Sequence, residues 1–270
     1  PMPTVLADFV QDLLKPRPTP ALGAYEIFED SAASIYHSLQ IEARKTYSHG
    51  LTLTAAYTWS HALDDVSDVF PVAGAPVLAE DQNNFRLERA NASFDMQQRL
   101  AVSVIWALPF FQDSQGARKY FGGWRLSSIF QASSGQPFTL TLPIDANLDG
   151  NLTDRPVSTR GLGFLSGFGP ERVALAPETP LSSFFQLGQD GFVGRNTVRG
   201  FSFVNLDLAL AKDFRITEGQ AIDFRVEFFN ALNRPNFGLP ISTLSAPGFG
   251  SAVDTINPGR MIQFTLKYIF

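Results

Sequence analysis

The chain's densest run of oxygen-bearing side chains is "DANLDGNLTDRP", residues 145–156. Asp145, Asn147 and Asp149 stand at places 1, 3 and 5, Gly150 at place 6, and Asn151 and Asp154 follow. Ca²⁺ gathers about six to eight oxygens, and a loop of this spacing with a glycine at the sharp turn can supply them. Asp145, Asn147, Asp149, Asn151 and Asp154 are therefore candidate ligands for a structural calcium ion. The bidentate Glu expected at place 12 is replaced by Pro156. Asn, Asp and Gly are also ordinary turn formers, so a solvated loop without metal is the alternative reading.

Other reactive groups are sparse. His37, His49 and His61 recur at twelve-residue intervals, but they fall on a strand, in a turn and at a strand end, which predicts no shared metal site. His61 with Asp64, Asp65 and nearby serines offers the residue types of a hydrolytic triad. Nothing there fixes a nucleophile on a strained turn or forms an oxyanion hole, so no enzyme is expected. Cysteine is absent, which removes disulfides and thiolate metal sites. A net charge of -5 with no basic stripe argues against nucleic acid as a partner.

What must position these residues is set by a period of two. Seven stretches alternate: 34–45, 51–60, 99–108, 123–132, 203–212, 221–229 and 262–270. In the sixth, Ile222, Phe224, Val226 and Phe228 oppose Asp223, Arg225 and Glu227; in the last, Ile262, Phe264, Leu266, Tyr268 and Phe270 oppose Gln263, Thr265 and Lys267. The fourth is the least regular, with Ser128 and Ile129 on the wrong sides, and it is extended in this reading through "FTLTL" at 138–142. Strands of roughly ten residues exceed the usual five or six and match the length that crosses a bilayer at a tilt.

Composition agrees with a chain that hides apolar surface in lipid: 44% of residues are hydrophobic, 17% are charged and 25 are Phe. No window reaches the roughly 18–20 consecutive apolar residues of a membrane helix, and "AVSVIWALPFF" is short and broken by serine. The connections alternate in length. "TYSHG" and "DFRITEG" are tight, 109–122 is intermediate, and 62–94, 143–201 and 231–258 are long and rich in Pro, Gly, Asn and Asp. Outer-membrane barrels have that asymmetry, with short periplasmic turns and long extracellular loops. A C-terminus on the periplasmic side puts every long loop outside.

Lipid supplies no hydrogen bonds, so spanning strands must pair within a barrel, and ionised groups must face its lumen. Glu42, Arg44, Arg99, Arg125, Asp207, Asp223, Arg225, Glu227 and Lys267 are assigned to that face. Trp59, Trp106, Trp124 and Tyr268 fall near strand ends, where aromatic girdles meet the headgroups. The terminal Phe270 has the form of the C-terminal signature read by the barrel assembly machinery.

Several phrases carry a resemblance. "YTWSHALDD", "ERANASFDMQQRL", "GGWRLSSIFQASSGQPFTL", "DRP", "GRNTVRG", "NLDLALAKDF" and "FRVEFFNALNRPNFG" resemble, in wording and order, the C-terminal barrel of TonB-dependent receptors of the Oar-like type. The resemblance covers residues 34–270. It implies a plugged outer-membrane receptor importing a scarce, unidentified ligand, energised by the TonB complex through an N-terminal part that this chain does not include. Gln98 stands before Arg99 where that family usually has His, so no role is carried over for that histidine.

The expectation is an all-β chain. Residues 1–33 form an extracellular loop or partial segment with a short helix at 3–16, and 34–270 form an incomplete, open, curved antiparallel sheet of about seven long transmembrane strands of a barrel. The membrane lipid is one partner; no cofactor beyond the calcium ion is expected. An adhesion or secretion barrel without active import is one rival. A soluble secreted β-sandwich, which would bury Phe224 and Phe264 in one core, is the other.

Overall fold

The computed structural model describes residues 30–68, 78–81, 84–110, 122–167, 169–175 and 179–270. The helix expected at 3–16 lies outside them, as does most of the 109–122 connection.

Among the described residues the chain forms twelve strands and two short 3₁₀ turns, Phe85–Glu88 and Leu181–Ser183. The strands are β1 (Ser34–Ser48), β2 (Leu51–Asp64), β3 (Ala90–Asn91), β4 (Gln98–Ala107), β5 (Trp124–Ser133) and β6 (Pro137–Phe138), followed by β7 (Leu162–Gly167), β8 (Gly169–Leu175), β9 (Val198–Arg199), β10 (Phe203–Arg215), β11 (Ala221–Phe229) and β12 (Met261–Ile269). Seven long strands pair antiparallel in the order β1-β2-β4-β5-β10-β11-β12, with β3 an appendage of β2. β1 and β12 do not pair, so the sheet is open. No described helix is long and apolar enough to cross a membrane.

Register turns the seven alternating patterns into two continuous faces. Leu39 pairs with Trp59, Tyr57 with Leu100, Val102 with Phe130, Leu206 with Phe130, Leu210 with Val226, and Val226 with Phe264. Paired residues lie on the same side of a sheet, so one apolar surface runs from β1 to β12. The opposite face collects Glu42, Arg44, Arg99, Arg125, Asp207, Asp223, Arg225, Glu227 and Lys267. Asp223 pairs directly with Lys267, an opposite-charge cross-strand pair.

Among the described residues, the apolar face meets no second layer. Phe264 is 71% exposed on it, and β12 is exposed along its whole length. A two-sheet sandwich is thereby excluded. The girdle residues Trp106, Trp124 and Tyr268 gather on this face at the end of the short turns, and Trp59 stands toward the other end. Lys212 also sits on the apolar face, 2% exposed, where alternation alone places a lipid-facing apolar residue. Its ammonium lies 5.3 Å from the Trp124 ring and 4.6 Å from the Phe214 ring, so the aromatic girdle shelters the charge.

At the short-turn end, His49 and Gly50 connect β1 to β2 with φ of 53° and 76°. A Cβ at Gly50 would stand 2.8 Å from the Ala107 carbonyl oxygen, so glycine serves both the turn and the approach of β4.

The core lies at the other end, within the long connections. Phe138, Leu140, Leu142, Ala146, Phe184, Val198 and Leu244 form one buried cluster. This corrects the extension of the fourth strand: β5 stops at Ser133, and 137–142 leaves the sheet to pair with β9 and fill that cluster. At the point of departure a Cβ on Gly135 would stand 1.9 Å from the Gly200 carbonyl oxygen, so only glycine lets the two segments cross. The 143–201 connection is not plain loop either, since it contains the β7–β8 hairpin.

Candidate functional site

The long connections from β2, β5 and β11 meet over one end of the sheet and pack on each other. Thr141 bridges Thr243, with their hydroxyl oxygens 3.0 Å apart. Asn236 extends the ladder of β10: its Oδ1 accepts the Val204 N–H at 2.8 Å and its Nδ2 donates to the Val204 carbonyl at 3.0 Å. Asn91 and Asn196 exchange side-chain-to-carbonyl bonds of 3.0 and 2.7 Å across the layer.

Three arginines and four carboxylates fasten these segments. Arg155 donates from Nε to Glu80 at 2.6 Å and from its terminal nitrogens to Glu88 at 3.0 and 2.9 Å. Arg195 pairs with Asp64 at the end of β2 and also bonds the Asp64 and Glu88 carbonyls and the Ser67 hydroxyl. Arg199 pairs with Asp95, whose other oxygen accepts the Ala62 N–H at 2.8 Å. Buried charges survive only when paired and hydrogen-bonded, and these are.

Burial pushes the Glu80 carboxyl above its ordinary 4.5, against the pull of the N–H groups and charge of Arg155 and the N–H of Gly191. At the rim, desolvation also pushes Asp65 up, but the Ala33 N–H and the Arg89 guanidinium at 3.1 Å outweigh it and hold its pKa below 3.8.

The 145–154 stretch forms part of this layer. Asp145 Oδ1 accepts the N–H groups of Leu148 and Asp149 at 2.7 and 3.2 Å, and its Oδ2 accepts that of Gly150 at 2.8 Å. Asp149 caps Asn151 through both oxygens. Asp154 Oδ1 accepts the Asn147 N–H at 2.9 Å, whereas Oδ2 has no partner. Burial raises the Asp154 pKa above 3.8, reinforced by the charges of Asp145 and Asp149 and opposed by the N–H groups of Asn147 and Ala146. The five candidate ligands are thus in one loop, but among the described residues no three acidic or histidine side chains are gathered closely enough to hold a metal as they stand.

Beside this loop opens a cleft of ≈ 750 Å³, walled by Glu80, Leu87, Asn147, Asp149, Arg155 and Phe192. The Asn147 amide ties its wall together, donating to the Glu80 carbonyl at 3.2 Å and to Asp190 at 2.9 Å.

The histidines differ from expectation in one respect. His37 and His61 are register partners on β1 and β2, while His49 is in the turn at the far end. His61 Nδ1 lies 3.5 Å from Asp95 Oδ2. The polar face of the sheet is partly committed to the fold: Asp207 accepts the Asn230 N–H at 2.9 Å and the Asn205 amide at 3.0 Å.

Sequence reasoning missed the arginine–carboxylate network because its partners are as much as 131 residues apart. The signal was within the quoted phrases: "DRP", "GRNTVRG" and "ERANASFDMQQRL" supply Arg155, Arg195, Arg199, Glu88 and Asp95.

A family model described as "Outer membrane beta barrel domain" matches residues 2–263. No curated protein matches the chain.

Proposed function

The chain belongs to the outer membrane beta barrel domain family, and from that premise we propose that it supplies the C-terminal strands of a TonB-dependent, Oar-like receptor. The receptor imports a scarce ligand across the outer membrane. The observation carrying this reading is the open sheet: seven long strands share one unbroken apolar face, and among the described residues β1 and β12 each leave an edge unpaired. Unpaired edges are not tolerated in lipid, so further strands must close the wall. A plugged transporter uses about 22 strands, which leaves room for many more.

In this reading the C-terminus is periplasmic, Phe270 engages the assembly machinery, and the packed loop layer faces outward with its cleft as the first ligand contact. The charged face lines the lumen beside a plug, and the chain is not an enzyme. The adhesion or secretion alternative draws on the same loop layer, which has its own buried cluster and arginine–carboxylate pairs.

The test is made on the intact outer-membrane protein that carries this chain, purified in detergent and titrated calorimetrically with the periplasmic domain of TonB. Saturable binding is expected. An intact, heat-modifiable barrel that binds no TonB would end the import reading and leave the adhesion or secretion reading standing.

A further inference from the structure

A buried carboxylate oxygen needs a donor or a cation, because leaving it unmatched costs the full desolvation of the group. Asp154 is 1% exposed, and although the N–H groups of Asn147 and Ala146 both act on its carboxylate, its Oδ2 makes no hydrogen bond. The next residue, Arg155, directs its guanidinium to Glu80 and Glu88 instead. Asp145 and Asp149 act on Asp154 repulsively. One buried carboxylate oxygen of the loop is therefore left without a hydrogen bond, with two further carboxylates nearby in the same turn.

We propose that this loop binds a calcium ion through Asp145, Asn147, Asp149 and the unpartnered Oδ2 of Asp154. The donor types select the metal. All are oxygens, three of them on carboxylates, and neither His nor Cys is among them, which suits a hard cation rather than zinc or copper. Ca²⁺ accepts irregular, many-oxygen shells, whereas Mg²⁺ demands a near-ideal octahedron.

Asn147 is already arranged for the role, since its Nδ2 is occupied by Glu80 and Asp190 and its Oδ1 accepts only the Asp149 N–H at 3.1 Å. Asp145 and Asp149 are turned to the N–H groups and amide of their own loop, so binding requires them to swing toward Asp154 Oδ2. Asp154 also anchors the core, its carbonyl accepting the Leu142 N–H at 2.8 Å. Calcium therefore fastens the core, the Arg155 clamp and the cleft wall at one point. The inference is independent of whether the barrel transports anything.

The experiment uses the intact protein in detergent, stripped with EDTA and titrated with CaCl₂, then with MgCl₂, by calorimetry; melting of the loop layer is followed in parallel. One Ca²⁺ per chain is expected, bound at least tenfold more tightly than Mg²⁺ and raising the melting temperature. Asp154→Asn should weaken calcium at least tenfold and abolish that rise. In EDTA the same variant should melt no lower than the parent, because it removes a buried charge from beside two others. Asp149→Asn, whose carboxylate caps only Asn151, serves as a second probe should Asp154→Asn fail to assemble. Absence of calcium binding to the parent protein, or binding unchanged in both variants, overturns the proposal.

Discussion

Phe264 in β12 is 71% exposed, while Phe184 in the loop layer is 0% exposed. The first belongs to a sheet whose apolar face has none of the described residues packed over it, and the second to a core of seven buried residues drawn from the connections. In most domains the sheet carries the core and the loops cover it. Here lipid takes the place of a second layer, so the sheet is specified by alternation and register, and the connections supply the close packing. Stability in the two regions therefore answers to different substitutions.

The largest separation is expected from Arg155→Ala. It leaves Glu80 and Glu88 buried without their shared cation, and breaking such a pair typically costs about 3–5 kcal/mol. Hydrogen exchange should rise sharply across residues 78–95 and 137–200 while β10, β11 and β12 keep their protection. Equal loss of protection in the strands would show that sheet and loop layer unfold as one unit and would remove the distinction between them.

The complementary substitution tests the sheet. Phe264→Arg places a cation on the apolar face near the middle of β12, where lipid exposure costs roughly 2–4 kcal/mol. Gln263→Arg, one residue back and directly opposite Glu227, points to the charged face and should be nearly silent. The measurement is the fraction of folded, heat-modifiable protein recovered from the outer membrane. Similar yields from both variants would mean that β12 does not face lipid as its alternation requires.

The contrast also decides what was legible in the sequence. All seven long strands are visible because a period of two needs no knowledge of distant residues: Ile222 to Phe228 and Ile262 to Phe270 declare their faces locally. Even the irregular Ser128 and Ile129 sit on the faces that alternation gives them. The loop layer was opaque because its logic is non-local. Nothing near Arg195 announces Asp64, and "FTLTL" alternates like a strand yet turns away at Gly135 because Leu140 and Leu142 have a core to fill. The 145–154 loop is intermediate. The spacing of its oxygen-bearing residues is local and was read directly, but the unpartnered oxygen of Asp154 is visible only once the layer has buried it.

The smallest expected effect concerns the rim, where Asp65 and Arg89 join the start of β1 to the end of β2 and the Ala33 N–H bonds the same carboxylate at 2.9 Å. Asp65 has a folded pKa below 3.8, so its contribution is present above that value and is lost as pH falls through the depressed pKa. Glu80 works in the opposite sense. Its folded pKa is raised above 4.5, so its contribution is greatest below 4.5 and declines as pH rises through the raised value. Asp65→Asn should therefore flatten the acid limb of the loop layer's stability curve and leave the decline above 4.5 untouched. Because the pair is partly exposed and screened, the difference at neutral pH should be at most about 1 kcal/mol, and smaller in high salt. Urea melts of the parent and the variant across pH 3–6 (a range chosen to span roughly both windows) measure it. An unchanged acid limb in the variant would place the rim outside the cooperative unit that Arg155 holds together.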